Sequence, residues 1–78
     1  MQLAPVPLGI RRGRVIEFDD PRGLGAVLSE DGVTYPFHCA NIADGSRHVE
    51  VGARLVWRVV PGRLGRWEAA DLRPEGDR

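Results

Sequence analysis

The sequence predicts an all-β chain, a small closed barrel of five antiparallel strands. Three observations predict it. Short runs rich in Val, Ile, Leu and aromatic residues alternate with Gly, Pro and Asp punctuation. One run, ARLVWRVV, alternates strictly, with Leu55, Trp57 and Val59 on one face and Arg54 and Arg58 on the other. No stretch longer than a turn shows the 3.6-residue periodicity of a helix. Several short strands in 78 residues have edges to hide, and a small barrel is the economical way to hide them.

Each element follows in order. Residues 1–10 read as an irregular arm, because Pro5 and Pro7 cannot serve a central strand. Residues 11–18, RRGRVIEF, form the first strand, and DDPRGLG turns the chain into the second, 25–29. The Asp-Gly of EDG, residues 30–32, signals a tight hairpin into the third strand, 33–38. CANIADGSRHVEVG is too mixed for a strand and reads as a short helical turn and a polar loop. The alternating run at 53–60 is the fourth strand. PGRLGR breaks it, 67–73 close the sheet, and 74–78 fray. One domain thus spans residues 11–73, with Val15, Val27, Ile42, Leu55, Trp57 and Val59 expected in its core.

Eleven basic residues, all arginine, balance eleven acidic ones. No global field draws the chain to a polyanion, so any phosphate binding has to be local. Guanidinium suits that task, since its planar fork holds phosphate in two hydrogen bonds. The densest local group is Arg11, Arg12 and Arg14, with Arg22 expected nearby across the first turn. A single cysteine, Cys39, forms no intramolecular disulfide and fits a reducing cytoplasm. The first residues do not read as a secretory signal, because their apolar part is short and its arginines follow it. No run approaches the ~20 apolar residues of a membrane span.

Chemistry of turnover is not visible. His38 and Cys39 are adjacent, so on a strand they would point to opposite faces and could not share a metal. His48 sits in a loop without a cysteine or carboxylate at ligand spacing. Asp19 and Asp20 precede Pro21 in a turn, where short acidic side chains satisfy backbone N–H groups. No enzyme activity, cofactor or metal is expected. Trp67, next to Arg66 and the glycine-containing loop, could stack a base, grip an acidic peptide or staple the loop to the barrel.

The order GRVIEFDDPRGLGAV, EDG, FHCANI, VGARLVWRVV and EAADL resembles the bacterial cold-shock domain, from about Arg12 to Leu72. Gly13, Gly23, Gly25, Asp31, Gly32, His38, Ile42 and Gly52 match that family's pattern. The resemblance implies an OB-fold barrel that binds single-stranded RNA or DNA on a platform of aromatic rings. Here Leu24 and Ala26 stand where the first motif has rings, Pro36 and Cys39 where the second has them, and Glu17 where the first strand has tryptophan. Phe18, His38 and the basic Arg22 keep family positions. Each stacked base is worth ~1–3 kcal/mol, so binding is expected to be weak. The candidate nucleic-acid-binding residues are Phe18, Arg22, His38, Arg14, Arg12, Leu24 and Trp67. A monomer without membrane attachment is expected. The alternative is an interaction module on which Leu24, Ala26 and Pro36 dock a protein or ribonucleoprotein partner, with no intrinsic affinity for nucleic acid.

Overall fold

The computed structural model of the chain describes residues 9–62 and 65–76. Residues 1–8, Arg63, Leu64 and the final two residues lie outside that description, and Ile10, expected at the end of a 1–10 arm, already belongs to the first strand. Five strands form one antiparallel sheet: β1 (Ile10–Asp19), β2 (Leu24–Ser29), β3 (Thr34–His38), β4 (Arg54–Pro61) and β5 (Trp67–Pro74). Their spatial order is β3-β2-β1-β4-β5, which leaves β1 paired on both sides. A 3-10 helix, Cys39–Asn41, follows β3. The sheet curls enough for its two edge strands, β3 and β5, to lie against each other. Just beyond the 3-10 helix, Ile42 makes a parallel bridge to Leu72, and Ala43 N–H donates to Leu72 C=O at 2.7 Å.

The core lies on the concave side of this curl. Trp57, Leu72 and Val27 are wholly buried, with Val15, Tyr35, Phe37, Ile42, Leu55 and Ala69 around them. Tyr35 meets the Trp57 ring edge-on at 6.3 Å, the geometry that aromatic quadrupoles favour. Burial of each large side chain is worth about 1.5–3 kcal/mol, and it is the strict alternation of β4 that aims Leu55 and Trp57 inward together. Val59, expected in the core, is instead half-buried and packs against its margin. It sits near the end of β4, where its partner on β5 is Ala69, whose methyl group covers little of it.

Two irregularities shape the sheet. Between Val15 and Glu17 the β1–β2 register slips by one, making Ile16 an extra residue in β1. Ile16 and Glu17 are therefore both exposed, and Phe18 turns inward beyond them. A second slip lies between Val56↔Arg73 and Arg58↔Ala70, with the extra residue in β5. There Asp71 takes φ 57°, a left-handed conformation that Asp tolerates better than most side chains. Gly13 has a different job: a Cβ there would run into the backbone carbonyl of Leu28 across the strand pair.

Candidate nucleic-acid interface

Strand register decides which candidate residues share a face. Glu17, Ala26 and Pro36 form one cross-strand row of β1, β2 and β3, and Asp19, Leu24 and His38 form the next. Cross-strand partners sit on the same side of a sheet, so these two rows are one outer surface. Pro36 can occupy β3 because that strand is an edge, where a missing N–H costs no ladder bond. Leu24, Pro36, Phe37, His38 and Glu68 line a groove of about 410 Å³ along the approach of β3 to β5. Its apolar rim is real surface: Leu24 is 46% exposed.

His38 ends β3 and caps the 3-10 helix. Its Nδ1 accepts the Ala40 N–H at 3.0 Å, so the neutral ring carries its proton on Nε2. The strand stops at His38, and alternation no longer governs Cys39. The two side chains do not diverge as the sequence suggests: Cys39 Sγ lies 3.9 Å from His38 Nδ1. Cys39 also lies against Gly23, whose φ is 67°. Among the described residues, no three His, Cys, Asp or Glu side chains converge to hold a metal ion.

Phe18 lies in the inner row, half-buried, with its ring parallel to that of Phe37. Trp67 is also half-buried against the core, with its indole Nε1 enclosed, which is the geometry of a staple. Arg22 stays at the β1–β2 turn beside Asp19, with Nε 3.5 Å from Oδ2. It does not join the other arginines, because they occupy the opposite half of β1. Arg11 leaves the group as well. It turns to the other face of β1 from Arg12 and Arg14 and pairs with Asp31 at 3.6 Å.

The β1–β4 pairing supplies what sequence reasoning missed. It sets Arg14 opposite Arg54, Ile10 opposite Arg58, and Arg12 opposite Val56, which in turn faces Arg73 on β5. The outward positions of Arg54 and Arg58 were legible in β4, but their partners were not.

A second unforeseen group surrounds His48. Its Nε2 donates to Glu50 Oε2 at 2.7 Å, Asp20 Oδ1 lies 3.4 Å from Nδ1, and the Phe18 ring meets it edge-on. The loop histidine thus has carboxylates on both sides, one of them brought from the β1–β2 turn. Both raise the pKa of His48 above its ordinary 6.5, Glu50 more than Asp20.

No protein-family model matches the chain, and no curated protein matches it significantly. Among the described residues, no helix is long and apolar enough to cross a membrane.

Proposed function

We propose that this chain is a cold-shock-like OB barrel that binds single-stranded nucleic acid weakly. The observation that carries the reading is the groove of Leu24, Pro36 and His38 on the outer β2–β3 surface, where the resemblance expects a base-stacking platform. The curl of the sheet and the Ile42–Leu72 bridge support a closed OB barrel. One base can lie against the proline and leucine with the imidazole as its ring partner, and a single stack is worth ~1–3 kcal/mol. Affinity for a short oligonucleotide is then micromolar or weaker. Backbone amide NMR of the labelled protein tests this. Adding an oligo-dT should shift Gly25, Ala26, Phe37 and His38 together. Amides of these four residues that stay unmoved would count against it.

One observation favours the alternative, a docking surface for a protein. Glu17 and Asp19 stand exposed on the rows that hold Ala26 and Leu24, and carboxylates there repel phosphate. An oligonucleotide that leaves the β2–β3 amides unmoved would turn the reading to that partner class.

A further inference from the structure

The eleven positive and eleven negative side chains cancel over the whole chain but not face by face. Around the groove, Glu17 and Asp19 stand beside Arg22, an excess of one negative charge. The outer surface of β1, β4 and β5 has the opposite sign. Arg12, Arg14, Arg54, Arg58 and Arg73 gather there against Glu30, Asp71 and Glu75, an excess of two positive charges.

Two of these carboxylates are shared. Glu75 serves both Arg54 at 3.0 Å and Arg12 at 4.0 Å, and Asp71 serves both Arg73 at 2.6 Å and Arg58 at 3.7 Å. A carboxylate split between two guanidiniums leaves N–H donors of each pointing to solvent. Arg14 makes no ion pair among the described residues and is exposed beside Arg54. Neighbouring strands hold such side chains about 4.8 Å apart and successive outward positions about 7 Å apart, so the donors form a lattice and not a point.

We propose that this β1–β4–β5 surface is a second binding site, for the phosphodiester backbone of nucleic acid. It rests on the reading of the chain as a nucleic-acid binder and assigns the phosphate contacts to a different surface from the base-stacking groove. No aromatic side chain lies in the rows that carry these arginines, so the surface holds charge and reads no bases. Single strands and duplexes share the chemistry it needs. Fluorescence anisotropy with a labelled oligo-dT and a duplex of about 15 nucleotides each separates the two, over about 50–200 mM salt.

Both probes should bind the parent protein, with affinity falling as salt rises. Arg14→Glu and Arg58→Glu should each weaken both probes about five-fold near 0.1 M salt and flatten the salt slope by about 0.7 on the single strand. Arg14→Gln, which adds no repulsion and breaks no ion pair, should flatten the slope similarly and guards against misfolding of the reversals. His38→Ala should weaken the single strand and leave the duplex unchanged. Arginine variants that bind both probes like the parent, while His38→Ala does not, would overturn this second site and leave the groove reading standing. A parent protein that binds neither probe at low salt would overturn both.

Discussion

The rings of Phe18 and Phe37 lie parallel, within 4° and with centroids 5.9 Å apart, although β2 runs between their strands. They meet because Gly25 is the residue between them, paired with Phe18 on one side and Phe37 on the other. A side chain there would occupy the contact: a Cβ on Gly25 would come within 2.6 Å of the Phe37 ring and of the Glu17 carbonyl. Gly25→Ala should therefore destabilise the fold by about 1–3 kcal/mol, the usual cost of overpacking. Urea denaturation measures it, and an unchanged midpoint would mean that the two rings do not need each other.

Rings can be added to the outer surface at little cost to packing. On β2, Leu24 is exposed between His38 and Asp19, and Ala26 is half-buried between Pro36 and Glu17. Leu24→Phe with Ala26→Phe should tighten single-strand binding ten-fold or more, since two stacks add ~1–3 kcal/mol each and a factor of ten needs about 1.4 kcal/mol. Anisotropy on the same oligonucleotide, with circular dichroism to verify folding, gives the answer. A folded double variant of unaltered affinity would mean that Glu17 or Pro36 closes the surface to bases.

The loop around His48 should make stability depend on pH. Its folded-state pKa is raised by Glu50 and Asp20. A raised pKa contributes stability that is complete below the unfolded-state value and fades as pH climbs through the folded-state value. The urea midpoint of the parent should fall as pH rises above the ordinary histidine value of 6.5, and His48→Gln should remove that part of the slope. The group is exposed, so the effect is small and best followed by NMR titration of the imidazole itself. A His48 pKa at or below 6.5 would refute the arrangement.

The β5 bulge distinguishes side chains by backbone conformation. Asp71→Val places a β-branched residue at φ 57° and should cost about 2 kcal/mol. Asp71→Gly relieves the same strain while losing the surface pairs with Arg58 and Arg73, so its stability should stay within about 1 kcal/mol of the parent. Equal losses from both substitutions would mean that the carboxylate, and not the backbone, is what the bulge needs.

Much of the sheet was legible in the sequence, because strand periodicity is local. Trp57 and Leu55 announce their burial by alternating with Arg54 and Arg58, and Tyr35 and Phe37 do the same around Pro36. What was hidden is what one residue changes. The extra Ile16 breaks the period within β1 and sends Phe18 inward, and no composition signal marks it. Cys39 escapes the strand rule because the chain has already turned into a 3-10 helix. The candidate surfaces were harder still. Arg11, Arg12, Arg14 and Arg22 are neighbours in sequence, but alternation removes Arg11 and strand length removes Arg22. Arg54, Arg58 and Arg73 replace them through a pairing that no short-range pattern encodes.

The place of β1 between β2 and β4 has a consequence for how the chain acquires its shape. The β1–β2–β3 meander can zip through nearby turns, but the other flank of β1 waits for a strand from the far half of the chain. Until β4 arrives, Val15, Val27 and Tyr35 have neither Trp57 nor Leu55 to pack against. An emerging polypeptide truncated before β4 should therefore stay unfolded and sticky, and closing the long loop should set the refolding rate. Single-exponential refolding, slowed by Leu55→Ala and little affected by Asp71→Gly, is the kinetic signature of that late docking.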